Sequence, residues 1–202
     1  MKIFLSTCLF LAILSEVAAV VCIVRKSKEK GTGRGVKTCV TTEGGNCFYG
    51  FTVSNLGAYY YDREQGCTTD CTVESYTFTR EDGRYLRSFR SCCRSTSCGS
   101  LVGEKGKPKL NGRECPTCCP SLSKACKGSK TIKCNDDETQ CIEFVVAHDN
   151  SSIPDEHFHG CASPKFCAMA KKSMHFDALS GTITRARCSD ILPPLEELNF
   201  EE

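Results

Sequence analysis

Eighteen cysteines stand in a chain of 202 residues, and the chemistry of this sequence is first of all thiol chemistry. Cysteine attacks as a thiolate, ligates soft metals, or cross-links the chain as a disulfide. The run Cys115-Pro116-Thr117-Cys118 would suit zinc, because a CxxC turn presents two thiolates to one tetrahedral ion. A nucleophile would need a base, yet the four histidines His148, His157, His159 and His175 come with no Gly-x-Ser-x-Gly elbow and no HExxH helix. His157 and His159, two apart on a strand, share a face and could hold a metal. Their favoured reading is the polar face of a hairpin arm returning to Cys161. The stretch from Gly31 to Lys37 is glycine-rich without the spacing of a phosphate loop, and reads as a mobile fingertip. Asn135-Asp136-Asp137-Glu138 has neither the glycine nor the terminal glutamate of a calcium loop. The sequence therefore assigns no catalytic residue, no metal site and no cofactor.

The compartment decides among the thiol chemistries. Residues 1–19 carry Lys2, an apolar run from Ile3 to Leu14 and a small-residue exit at Val17-Ala18-Ala19, the layout of a cleaved signal peptide that is too short for a stable membrane span. Cleavage after Ala19 removes Cys8 and leaves a chain opening at Val20. The acidic end, Leu195 to Glu202, is no hydrophobic anchor signal, so the product is expected to be secreted, soluble and free of a membrane anchor. In an oxidising compartment the remaining cysteines read as disulfides rather than as a metal site.

Two elements of similar grammar must carry those bridges. One block holds Cys22, Cys39, Cys47, Cys67, Cys71, Cys92, Cys93 and Cys98; the other runs from Cys115 to Cys188. Cys39 and Cys47 answer to Cys134 and Cys141, and Cys67 and Cys71 to Cys161 and Cys167, which is an internal repeat. Short β-rich runs such as Phe48 to Val53 and Tyr76 to Thr79 lie between turn residues, and no long helical period occurs. The expected organisation is a signal at 1–19, a first domain at 20–98, a glycine- and lysine-rich linker at 99–114, a second domain at 115–190 and an acidic tail at 191–202. Each half is small enough that its own core would be marginal, so bridges worth about 2 to 4 kcal/mol each would decide folding.

Specific runs carry a family resemblance. The close Cys92-Cys93-Arg94-Ser95-Thr96-Ser97-Cys98, preceded by Cys67-Thr68-Thr69-Asp70-Cys71, resembles the end of a three-finger domain of the urokinase-receptor type. The second block, with Cys115-Pro116-Thr117-Cys118, Lys133-Cys134, Gln140-Cys141-Ile142-Glu143-Phe144, Gly160-Cys161-Ala162-Ser163 and Phe166-Cys167, resembles the second domain of secreted phospholipase A2 inhibitors of the gamma class. It is equally similar to amphibian sodefrin-precursor-like pheromone proteins. The resemblance implies an all-β, disulfide-rich fold of two tandem three-finger domains. It implies the pairs Cys22–Cys47, Cys39–Cys67, Cys71–Cys92 and Cys93–Cys98, then Cys115–Cys141, Cys118–Cys126, Cys134–Cys161 and Cys167–Cys188. Arg25 stands where the family has a second CxxC cysteine, and no cysteine lies between it and Cys39, so a whole pair is absent. Gly99 follows Cys98, where three-finger domains usually place Asn. Cys119 is the odd cysteine, left as a buried thiol, an intermolecular bridge or a competitor for Cys126.

Charge and aromatics suggest where a partner would touch. Residues 20–98 hold 12 basic and 8 acidic groups, net +4, whereas residues 189–202 hold none and 5. Arg25, Lys26, Lys28, Lys30, Arg34 and Lys37 lie in one stretch opposed only by Glu29, a first finger suited to anionic partners. The second finger pairs Phe48 to Val53 with Ala58 to Tyr61 about a turn at Ser54-Asn55-Leu56-Gly57; Leu56, Tyr59, Tyr60 and Tyr61 complete the candidate contact set. In the second half the matching hairpin runs Ile142 to Val146 and His157 to His159, with the sequon Asn150-Ser151-Ser152 at its tip, so Asn150 is the candidate glycosylation site. The resemblance implies a non-enzymatic secreted inhibitor that captures a phospholipase A2, or a pheromone-like ligand for a receptor. Either would take a protein partner rather than nucleic acid, with a covalent or non-covalent oligomer open.

Overall fold

The computed structural model describes residues 19–26, 37–41, 44–94, 96, 98, 108–116 and 131–191. The segment up to residue 18 expected to be a signal, Lys28, Lys30, Arg34, Cys118, Cys119, Cys126 and residues 192–202 lie outside them. The described residues form twelve strands: β1 (Val21–Lys26), β2 (Lys37–Val40), β3 (Asn46–Ser54), β4 (Tyr60–Thr68), β5 (Glu74–Arg80), β6 (Tyr85–Cys93), β7 (Leu110–Pro116), β8 (Thr131–Asn135), β9 (Gln140–His148), β10 (Glu156–Ala162), β11 (His175–Phe176) and β12 (Gly181–Asp190). Their pairings are antiparallel. The linker expected to run to residue 114 ends earlier, since Leu110 already opens β7.

The two expected hairpins form in the register that alternation favours. Phe51 faces Arg63 across β3 and β4, and Phe144 faces Phe158 across β9 and β10. The disulfides repeat between the halves. Cys22–Cys47, Cys39–Cys67 and Cys71–Cys92 close separations of 25, 28 and 21 residues. Cys115–Cys141, Cys134–Cys161 and Cys167–Cys188 close 26, 27 and 21. Cys93–Cys98 closes a short loop of its own. The fold is antiparallel, disulfide-rich and of the three-finger type.

Two features depart from the sequence reading. A helix, α1 (Pro164–Ala170), interrupts the strands; Ser163 caps it by accepting from the Phe166 N–H, Pro164 opens it, and Phe166, Cys167 and Ala170 face inward. Ser163 and Pro164 are a start signal for a helix too short to show a period. The halves, moreover, do not keep separate cores. β10 pairs with β5, so one ten-stranded sheet, β11-β12-β9-β10-β5-β6-β3-β4-β1-β2, runs through both, with β7 and β8 apart. Leu56, Phe78 and Leu86 of the first half share one apolar cluster with Ile142, Phe144, Phe158, Phe166 and Ile183 of the second. Phe78 stacks on Phe166 at 5.4 Å and meets Phe144 edge-on at 5.0 Å. Burial of such rings contributes roughly 1.5 to 3 kcal/mol each. The shared core supplies what each small half lacks.

Candidate functional site

The sheet β5-β6-β3-β4 has two unlike faces, and alternation assigns each side chain to one of them. The first face carries Tyr49, Phe51, Tyr61, Tyr85 and Phe89, with Arg63 and Arg87 among them; the opposite face carries Asp62, Glu64, Glu74 and Arg90. A groove of about 320 Å³ runs along the first face, its lining including Pro108 and Asp136. Phe51 lies 5.9 Å from Phe89. The guanidinium of Arg63 sits 5.0 Å over the Tyr49 ring, and that of Arg87 5.0 Å over Tyr85. Arginine planes resting on aromatic rings hold charge at an apolar surface while leaving other N–H groups free to donate.

The candidate contact residues do not all meet there. Tyr59 is 71 % exposed and Tyr61 45 %, both on the groove, whereas Tyr60 points to the opposite face beside Asp62. Arg25 on β1 and Lys37 on β2 are exposed at the sheet's far edge; Arg25 stands opposite Gln65, which puts it on the groove face, and Lys26 stands opposite Glu64. Leu56 leaves the set. It is only 2 % exposed, because its turn is folded onto the β5–β6 hairpin. The Ser54 hydroxyl accepts from the Leu56 N–H at 3.2 Å, Arg84 Nη1 donates to the Leu56 carbonyl at 2.7 Å, and Asn55 Oδ1 accepts from the Tyr85 N–H at 2.6 Å.

At the border between the halves lies a buried polar cluster that the sequence did not announce. Glu138, from the acidic run after β8, is 1 % exposed. Its Oε1 accepts from the Thr79 hydroxyl at 2.6 Å and its Oε2 from the Asn135 N–H at 2.9 Å. Beside it, Thr77 donates to Asp137 at 3.0 Å, and the Thr77 N–H donates to the Ser163 hydroxyl. Burial pushes the Glu138 carboxyl up to about 7, against the opposing pull of the Thr79 and Asn135 hydrogen bonds and the Arg87 charge, with Asp137 adding to the rise. The carboxyl binds its proton more tightly in the folded state. Stability is therefore full below the ordinary glutamate range and falls as pH rises through about 7. Glu138→Gln should flatten urea midpoints between pH 4.5 and 8, removing a fall of about 3 kcal/mol; an unchanged slope would contradict this.

The remaining expectations are placed plainly. Cys115 and Cys134 sulfurs lie 3.6 Å apart in a cluster with Cys161, and Cys22, Cys39 and Cys67 form its counterpart. These sulfurs are all disulfide-bonded, so Cys115 has no thiolate for zinc. His157 is exposed and His159 half-buried. Asn150 is exposed at the β9–β10 tip, where its Oδ1 accepts from the Ser152 N–H at 3.0 Å. No helix among the described residues is long and apolar enough to cross a membrane.

Comparison with known proteins gives the groove a context. No family model matches the chain. A phospholipase A2 inhibitor gamma subunit of Gloydius brevicaudus siniticus is 24% identical over 198 residues, covering 96% of this chain and 98% of that protein. The same-named inhibitor of Elaphe climacophora is 24% identical over 131 residues, and the match spans 64% of that relative's length and 63% of this chain. Phospholipase A2 inhibitor NAI of Notechis ater is 24% identical over 132 residues, 63% of this chain and 64% of the relative. Among solved structures, mouse TEX101 aligns with 84% of this chain and 98% of its own at 17% identity and a TM-score of 0.32. In sequence the chain is thus similar over nearly its whole length to a phospholipase A2 inhibitor of the gamma class, and it has a three-finger, disulfide-rich architecture.

Proposed function

We propose that the chain is a secreted, non-enzymatic binding protein that captures a phospholipase A2 and keeps it from its membrane substrate. The observation that carries this reading is the near full-length similarity to a gamma-class phospholipase A2 inhibitor. The mechanism is binding without covalent chemistry. Disulfides and a continuous sheet hold the contact surface in one arrangement, which lowers the entropy lost on association. The exposed tyrosines Tyr59 and Tyr61 offer large rings at small entropic cost, and the basic stretch from Arg25 to Lys37 steers an anionic partner toward them. An acidic enzyme suits that stretch better than a basic one. A glycan on Asn150 would shield the β9–β10 tip and leave the first half as the contact surface. A pull-down with the intact chain from secreted fluids at moderate salt should retain a phospholipase A2 identified by mass spectrometry. Retention of a membrane receptor with no phospholipase would contradict the proposal.

A further inference from the structure

The opposite face of the first-half sheet carries a second cavity, of about 290 Å³, whose far wall belongs to the second half. Across the strands Arg90 stands between Glu74 of β5 and Gly50 of β3, and Glu64 of β4 follows Gly50. Glu74 is taken by Lys165, whose Nζ donates to it at 2.7 Å. Gly50 has no side chain, so the cavity floor is open between Arg90 and Glu64. The guanidinium of Arg90 lies 4.4 Å over the Phe48 ring, its Nε–H is shielded from solvent without an acceptor, and no carboxylate pairs with it among the described residues. An arginine held in this way keeps its Nη donors for the oxygens of an anion.

The next row of the same face reads Tyr76, Ser88, Thr52 and Asp62. The Ser88 and Thr52 hydroxyls lie 3.0 Å apart and satisfy one another. Asp62, half-buried, and Glu64, exposed, pair with no cation among the described residues. The other charges on the cavity are Asp177 and His175, and His175 lies 3.3 Å from Asp177 and 3.5 Å from Asp149. Around the carboxylates the walls are mostly rings and thioethers, from Phe48, Tyr60, Phe176, Met169 and Met174. A primary ammonium brings three N–H donors that such walls serve poorly, whereas a methylated ammonium rests well on rings beside a carboxylate. Strands β4 and β6 flank β3, so Asp62 and Arg90 stand two strand spacings apart, roughly 10 Å. That span admits a molecule with an ammonium and a phosphate on one short bridge.

We infer that this cavity binds a phosphocholine-type zwitterion: Arg90 takes the phosphate, Asp62 and Glu64 balance the trimethylammonium, and Tyr60 and Phe176 enclose its methyl groups. Phe176 comes from the second half and the other four from the first, so the ligand bridges the two. The cavity lies across the sheet from the groove, and the inference does not depend on which protein the groove face takes.

Calorimetric titration of the intact oxidised chain with phosphocholine tests it, and saturable binding is expected. On the parent protein, tetramethylammonium and inorganic phosphate should each displace phosphocholine, and each alone should bind at least about ten-fold more weakly. Arg90→Gln should weaken phosphocholine about ten-fold and leave tetramethylammonium unchanged, whereas Asp62→Asn should weaken both. Tyr59→Ala, on the groove face, should change neither. If a variant loses its circular dichroism, the two displacements on the parent decide the matter. Cosedimentation with phosphatidylcholine vesicles but not with phosphatidylglycerol vesicles would place the headgroup in a membrane, and binding of the soluble zwitterion alone would make it a free ligand of the same site. No binding at millimolar phosphocholine, or binding that phosphate does not displace, would overturn the inference. Should oligolysine then bind in an Asp62-dependent way, the cavity would belong to a basic protein partner and the zwitterion would be excluded.

Discussion

Gly160→Ala should lower the unfolding free energy by about 3 kcal/mol or more, and should split the unfolding transition in two. Gly160 lies on β10 opposite Arg80 of β5, at the only strand pairing between the halves among the described residues. A Cβ there would stand 2.0 Å from the Thr79 carbonyl oxygen and 3.0 Å from the Phe78 ring. Backbone cannot yield that far without parting the strands. Parting them exposes Phe78, Phe144 and Phe158 and pulls Thr79 from Glu138. The loss of cooperativity distinguishes this from an ordinary core defect, because each half keeps its own disulfides. Urea titration of the oxidised protein, followed by circular dichroism and by hydrogen exchange, measures both quantities. Gly57→Ala is the matched control: a Cβ there meets nothing within 4 Å, so its effect should stay within about 0.5 kcal/mol. A single transition at the parent midpoint for Gly160→Ala would refute the joint.

The second large effect concerns the cross-links. Replacing Cys134 and Cys161 together by Ala should destabilise the fold by about 3.5 kcal/mol, against about 2 kcal/mol for Cys93 and Cys98, because the bridge with the longer loop removes more entropy from the unfolded chain. The respective sequence separations are 27 and 5 residues. Cys134 and Cys161 are also both fully buried at the centre of the second hub, with Cys115 and Ile132, whereas of the short-loop pair Cys98 is buried and Cys93 only half-buried, so the packing defect is larger for Cys134 and Cys161. Equilibrium denaturation of the two double variants under identical conditions compares them. A larger loss from the short loop would argue that the bridges act mainly by native packing rather than through the unfolded state.

These effects also mark what the sequence could and could not convey. Hairpin pairing was legible because alternation has a period of two and cysteine spacing repeats between the blocks; Phe144 and Phe158 face each other as their positions about the Asn150 turn require. The helix from Pro164 to Ala170 was not, since seven residues make no hydrophobic period and only Ser163-Pro164 signals it. Leu56 read as an exposed fingertip because turns are usually solvated; tertiary hydrogen bonds that Arg84 donates to the Leu56 carbonyl and the Tyr85 N–H donates to Asn55 bring the turn inside. In the sequence Glu138 stood only in an acidic run that lacks the marks of a calcium loop, and Gly160 only beside Cys161 in a run that carries the family resemblance. Both take their meaning from β5, more than fifty residues upstream, and no local pattern encodes that approach. The same holds for the groove. The consecutive tyrosines announced an aromatic surface, but Arg63 and Arg87, isolated in sequence, join Arg25 only once the strands are laid side by side.

The central claim, capture of a phospholipase A2 by the intact oxidised chain, is tested most directly by titrating the protein into a panel of acidic and basic phospholipase A2 enzymes while following phospholipid hydrolysis. Stoichiometric loss of activity, stronger for the acidic enzymes and weakened by salt, is the predicted result. Undiminished hydrolysis by every enzyme of the panel, with no complex detectable by light scattering, would contradict it.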